Sequence, residues 1–517
     1  MQTVSTAWKQ MYRELLVPES FVEIQMNVGD PVAQADASSA SNGEERFSDV
    51  TQIVRRYEKN PTKYGTLERN LFQLDGSIVL LPDTGPYVKQ GYIGDVLSGD
   101  DGYYTAIPTI TVSFSKAYDD IIPGITITWA TAYNEWAEEY RVTAWLGGQA
   151  VAATTVTGNT EITSFAEFDI TEYDSITLEV LKWCKPSRRP RIKQLEIGIV
   201  RTYDKADLMD YKHELSVDPL SAALPLSEIT FSIQNLGGKF NPDNPKGAEK
   251  YLINRQQITA RYGYHVAGEI EWIPAGTFYL SEWETPQNGI TATFVARDLL
   301  EYYDEVYTGP HTGTLLSIAE AALTQVEVPT MPDGSVPWTL DSALGNIQAA
   351  TDADLTDLPI SEVLQYVANA ARMVFYQDRE GRLHIEPLRD GMTDYLVDEF
   401  NSYANSEISL TKPLKAVTVN RDQSTVQVSS IGETQKLDNI LISDAVAPQV
   451  AEWAANYLTN RRILSGEYRS DPRLDPLDYI IVENQFARSK VLVTNVTYTY
   501  NGAFRGSYEG RSVGYIE

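Results

Sequence analysis

The sequence predicts a mainly β chain with minor α content, built as several domains: two related β-barrels, an inserted antiparallel β-sandwich and a small α+β domain. Three observations carry that reading. Ala275–Arg297 reads AGTFYLSEWETPQNGITATFVAR and Ser489–Arg511 reads SKVLVTNVTYTYNGAFRGSYEGR. Each is a strand, an Asn-Gly pair (Asn288-Gly289 and Asn501-Gly502) and a second strand. Asn-Gly favours the left-handed backbone of a tight hairpin turn, and two such hairpins closing two β-rich stretches point to an internal duplication. Between Tyr92 and Val200 short strands follow one another (ITVSFS, GITITWA, YRVTAWL, SFAEFDI, SITLEVLKW, IKQLEIGIV) with turn residues between them, the habit of an antiparallel sandwich. At 517 residues the chain exceeds the size at which one core stops growing, roughly 250–300 residues.

The elements follow in order. Thr6–Leu16 reads as a short helix, with Met11, Leu15 and Leu16 at helical spacing. Ser20–Val28 alternates as a strand and is a partner for the first barrel, which makes the sandwich an insertion into that barrel. Gly29–Glu45, rich in Ala, Ser and Gly, reads as a loop. Ser227–Gln234, Gln257–Tyr264 and the first hairpin complete the first barrel. Thr314–Leu323 and Ile360–Ala371 carry apolar stripes at helical spacing, and Met373–Tyr376 and Leu383–Glu386 flank an Asp378–Gly381 turn. Ile408–Leu410 and Ala416–Asn420 read as strands, Pro448–Leu464 as a helix with Pro448 in its first turn, and Tyr479–Val482 with the last hairpin as the closing strands. The expected division is 1–71 (N-terminal helix, first barrel strand, linker), 72–200 (sandwich), 201–310 (rest of the first barrel), 311–395 (α+β) and 396–517 (second barrel with a helix).

Composition narrows the function. A net charge of −29 argues against nucleic-acid binding, which needs a basic face, and suits solubility or an acidic channel wall. The lone Cys184 excludes an intrachain disulfide and reads as a small buried hydrophobe. MQTVSTAWKQMYRELL lacks the apolar run of a signal peptide, and no stretch reaches the ~18 apolar residues of a membrane span, so synthesis in the cytoplasm is expected.

No catalytic, cofactor-binding or metal-binding residues are expected. His213, His265, His311 and His384 are scattered, without metal-ligand spacing. No GxSxG, HExxH or phosphate-binding glycine loop is present. The aspartates of Asp471–Asp478 (DPRLDPLD) lack the Gly and terminal Glu of a calcium loop and read as turn caps. Trp129 and Trp145 lie in apolar strands and read as core, whereas Tyr133 and Trp136, in the polar stretch AYNEWAEEY, are the candidates for a glycan-stacking surface. The loop GGKFNPDNP, with Lys239, Phe240 and Asn241, reads as a rigid barrel corner or as a subunit or tube contact. The basic run KPSRRPR, with Arg188 and Arg189, fits either an acidic polymer such as teichoic acid or an acidic patch on another subunit.

SEITFSIQNLGGKFNPDNP, followed by INRQQITARYGY and GTFYLSEWE, resembles the first tube domain of bacteriophage tail (baseplate) hub proteins. DPRLDPLDYIIVEN, followed by the last hairpin, resembles their matching final domain; the resemblance covers roughly residues 200–517 and the strand near residue 20. It implies tube-type barrels in a homotrimer whose two barrels per subunit form a pseudo-hexameric ring. Such a virion protein, made in the host cytoplasm, adapts a six-fold tail tube to a three-fold tip or spike and gates the channel. The implied partners are the tail tube or a distal tail protein, the tip or spike protein and the tape-measure protein. GITITWATAYNEWAEEYRVTAW and LEVLKWCKPSRRPRIKQLEIGI resemble galactose-binding-like or carbohydrate-binding-module sandwiches, which leaves a glycan- or receptor-binding tail component, with a cell-surface glycan as partner, as the alternative. A cell-wall hydrolase ranks behind both, because a glycosidase needs two carboxylates placed across a sugar.

Overall fold

The computed structural model describes residues 1–12, 14, 19–29, 31–43, 48–54, 68, 91–119, 121–220, 223–236, 238, 240–241, 243–244, 252, 254–286, 289–331, 334–389, 391, 395–420, 424–469 and 471–516. It is mainly β, and its centre is a sheet of thirteen strands. Ten of them form two sets of five. The first is β1 (Leu208–Ser216), β2 (Leu226–Gln234), β3 (Gln257–Val266), β4 (Glu269–Glu284) and β5 (Thr291–Arg297). The second is β6 (Glu407–Leu410), β7 (Arg462–Tyr468), β8 (Tyr479–Glu483), β9 (Arg488–Tyr500) and β10 (Phe504–Ile516).

The spatial order is β1-β2-β5-β4-β3 in the first set and β6-β7-β10-β9-β8 in the second, every pairing antiparallel. Among the described residues neither set closes into the barrel expected from the sequence. β1 pairs with β9 instead of turning back on its own set, so the two sets share one open sheet. They also share one core, in which Trp8, Tyr262, Tyr264, Tyr498 and Phe504 meet. The run Phe278-Tyr279-Leu280 is apolar without alternation because β4 is covered on both faces there. Phe278 and Leu280 enter the sheet core, and Tyr279 enters a helical core against Tyr302.

Ser20–Val28 pairs with the outer edge of β3, and Ile199–Tyr203 pairs with Ser20–Val28. The chain therefore leaves this sheet after Val28 and returns at Ile199, its antiparallel partner. Between them lie a five-stranded sheet (Ser38–Ser41, Thr109–Tyr118, Tyr173–Trp183, Ala137–Leu146, Gln149–Val156) and a three-stranded one (Gln194–Ile197, Ile122–Thr128, Thr163–Ile170), with one core. IKQLEIGIV is thus several strands: Gly198 takes φ +105° and carries the chain from one sheet to the next, where a Cβ would lie 2.2 Å from the Val28 carbonyl oxygen. Gly29–Glu45 is more than a loop. Pro31–Asp36 is a helix and Ser38–Ser41 an edge strand, because Ala33 and Ala37 are small enough to bury in the sandwich core. Trp129 is core, but Trp145 is only half-buried, on the opposite face from Val142 and Ala144, with its indole N–H donating to Thr177 Oγ1 at 3.0 Å.

The helices Leu315–Thr324, Ile360–Ala371 and Ala447–Leu458 share the second core with Val417 and Val419. The last helix stops before Leu464. The Thr459 hydroxyl turns back to the Ala455 carbonyl, and Arg462–Tyr468 is drawn into the sheet by β10. The N-terminal helix is Thr6–Met11, capped by Ser5; Leu15 and Leu16 lie outside the described residues.

Candidate functional site

The candidate site is the joint between the two strand sets. β1 meets β9 in the register Tyr211↔Tyr500, His213↔Tyr498, Leu215↔Val496 and Ser216↔Asn495. The inward residues of β1 alternate as Tyr211, His213 and Leu215, as a half-buried strand requires. His213 is fully buried, and its Nδ1 lies 2.6 Å from the Tyr262 hydroxyl, which is 2.9 Å from that of Tyr211. Burial, with the Arg379 charge nearby, pushes the imidazole well below its usual pKa, so it is neutral and structural.

On either side of the joint the two sets share a bulge and a turn at equivalent positions. β4 pairs with β5 as Leu280↔Ala296, skips one residue, and continues Glu282↔Val295; β9 pairs with β10 as Val493↔Gly510, skips one residue, and continues Asn495↔Glu509. Each bulge therefore falls at the same step of the same strand. Arg255 and Leu477 precede β3 and β8, and both have φ +69°. Arg255 N–H donates to Leu280 O at 2.7 Å, and Leu477 N–H to Val493 O at 2.8 Å. A left-handed conformation is uncommon for such side chains, so the coincidence marks one local structure used twice.

Two pins cross the joint. Arg379, on the Asp378–Gly381 turn, donates from Nη1 to Pro274 O (3.0 Å) in the first set. Its Nε and Nη2 donate to Asp475 Oδ1 (2.6 Å) and Leu474 O (2.9 Å) beside the second. The N-terminal segment does the same work: Ser5 Oγ donates to Glu271 at 2.6 Å, Trp8 Nε1 to Asp471 at 3.3 Å, and the Met1 amine to Asp478 at 2.5 Å. The three aspartates of DPRLDPLD thus each accept from another segment, and Asp478 also caps the Asp475 N–H as a turn residue at 2.8 Å.

The residues singled out from sequence are elsewhere. Tyr133 is half-buried with the Arg191 guanidinium 4.4 Å over its ring, and Trp136 packs against the sandwich core. Arg188 is buried, its Nε donating to Glu135 Oε1 at 2.9 Å, with Trp183 Nε1 on the other carboxylate oxygen at 3.0 Å. Arg189 donates its backbone N–H to Glu68 at 2.7 Å and its guanidinium to the carbonyls of Gly94 (3.2 Å) and Asp95. Lys239 lies outside the described residues. Phe240 is buried edge-on against Phe294 at 5.2 Å, and half-buried Asn241 caps the Asp243 N–H at 2.9 Å. The sequence reading missed β1, although Tyr211, His213, Leu215 and Val217 alternate with polar residues. It also gave Arg379 no role beyond its turn.

No protein-family model matches the chain, and no curated protein does. Among solved structures it is similar to the prophage MuSo2 43 kDa tail protein from Shewanella oneidensis (12% identity, TM-score 0.41, covering 60% of this chain and 94% of that one). It is also similar to a tail protein from Neisseria meningitidis MC58 (10% identity, TM-score 0.40, covering 61% and 93%). A further similarity is to the family 32 carbohydrate-binding module of C. perfringens NanJ, solved with galactose (14% identity, TM-score 0.21, covering 35% and 99%).

Proposed function

We propose that this chain is a structural, non-enzymatic hub of a phage tail tip or baseplate, working as a homotrimer that adapts a six-fold tail tube to a three-fold tip or spike. One observation carries the reading: a single five-strand unit occurs twice in the chain, in the same strand order and with a bulge at the same step, joined edge to edge by β1 and β9. Two equivalent units per chain give three chains six equivalent positions around one axis, which is the geometry a symmetry adapter needs. The joint is held by an aromatic core and by Arg379, as befits a part that bears load rather than one that turns over substrate.

In this reading the tube-facing side meets the tail tube or a distal tail protein, and the far side meets the tip. The surplus of acidic residues suits a wet channel wall that repels DNA phosphates. The test is the solution mass of the purified chain by light scattering. Three chains are expected; a stable single chain at high concentration contradicts the proposal.

A further inference from the structure

β1 and β6 hold the same place in their sets, and their fates differ. Aligned through β2·β5 and β7·β10, His213 corresponds to Ile408 and Leu215 to Leu410. His213 and Leu215 are 0% and 8% exposed because β9 covers them, whereas Ile408 and Leu410 are 46% and 65% exposed. Ile408 faces the same side as its buried partner Leu464, so these are core-facing positions without a cover. Phe400 and Tyr403, just before β6, are exposed as well. Edge strands are normally blunted by charge, proline or a covering element, and an exposed apolar edge marks an interaction site.

The complementary edge is in the first set. On β9, residues Asn495–Tyr500 use the edge beyond β8 to receive β1. The corresponding stretch of β4, which begins at Glu282, pairs with β5 on one side through Glu284, and among the described residues no strand pairs with its other side. The pattern of exposure there (Ser281 half-buried, Glu282 exposed, Trp283 half-buried, Glu284 exposed) is that of Thr494–Thr497 with its cover removed: Val496, the counterpart of Trp283, is buried. Each chain therefore carries one used joint and the two separated halves of a second.

We propose that β6 of one chain adds antiparallel to the free edge of β4 in a second copy of this chain, repeating the β1·β9 joint between subunits. The register is that of the internal joint: Leu410 opposite Trp283, Ser409 opposite Glu284, Ile408 opposite Thr285, with Pro286, which has no N–H, ending the ladder. The contact is head-to-tail, so it must close into a ring or run on as a filament; closure at three rests on the hub reading above.

The experiment uses the full chain carrying Cys184→Ser, Ser409→Cys and Glu284→Cys. Antiparallel partners have Cα atoms roughly 4.5–5.5 Å apart, within disulfide range. Mild oxidation is expected to give covalent species that end at three chains on a non-reducing gel, with neither single-cysteine variant giving more than two. Leu410→Lys, at a side chain exposed in the single chain, is expected to keep the thermal transition and to weaken association at least about tenfold by placing a charge in the joint. If the wild-type mass is three chains, yet no cross-link forms and Leu410→Lys leaves that mass unchanged, the edge pairing is overturned while the hub reading survives. A ladder running past three supports the pairing and overturns closure. A wild-type mass of one chain overturns both.

Discussion

The Arg379 guanidinium donates to Asp475 at 2.6 Å from a turn that belongs to neither strand set. Its other nitrogens reach Pro274 O and Leu474 O, so one buried cation ties the helical segment to both units. Removing one partner of a buried pair leaves an uncompensated charge and costs roughly 3–5 kcal/mol. Arg379→Met is expected near the lower end, because Asp475 retains some solvent and the Gln2 amide as a donor at 2.9 Å. Chemical denaturation checks this. Arg379→Lys should recover part of the loss, since it keeps the charge but not the three-way fork.

Asp298 gives the fold a pH dependence. It is buried, caps Leu300 N–H at 3.0 Å, and burial pushes its pKa up from 3.8 to about 7. The folded form therefore holds a proton that the unfolded chain releases. This stabilisation is complete below 3.8 and is lost as the pH rises through about 7. Asp298→Asn keeps a capping oxygen and removes the loss. Its melting temperature should gain on the wild type as the pH rises from about 4 to about 7, and hold that gain above it. A constant difference would count against this account.

His213 has the opposite slope. Its folded pKa lies well below 6.5, so the stability it contributes is present above 6.5 and is lost as the pH falls below that value, where the unfolded chain takes up a proton. His213→Phe, packed beside Phe278 and Tyr498, should flatten the acid limb of a stability–pH profile measured in denaturant.

Gly198 is where the sandwich hands the chain back to the central sheet. Alanine there meets an unfavourable φ, roughly 1–3 kcal/mol, and a clash with Val28 O. Gly147, at φ +57° in open space, isolates the backbone cost, roughly 1–2 kcal/mol. Gly198→Ala should thus lower the melting temperature well beyond Gly147→Ala.

Much of this was legible in the sequence. The hairpins at 275–297 and 489–511 align without a gap from Gly276 to Gly289 against Ser489 to Gly502, and they are the fourth and fifth strands of the repeated unit. The turn chemistry was read less well. β9 and β10 close Tyr500↔Phe504 over a three-residue loop in which Gly502 takes positive φ and Asn501 does not, and Asn288 lies outside the described residues. The barrels were expected to close because pattern specifies which face of a strand is buried, not which neighbour takes its edge. The joint strand β1 escaped notice because His213 reads as polar until Tyr262 satisfies it. Nothing local reveals that Arg188 pairs with Glu135, fifty-three positions away, or that Arg379 bridges two units.

The central claim is that two copies of one unit per chain build a ring of six equivalent positions. Class averages of the purified assembly in electron micrographs, viewed down its axis, test it most directly. The account predicts an annulus with six similar lobes formed by three chains. Three unlike lobes, or particles without an annulus, would contradict it.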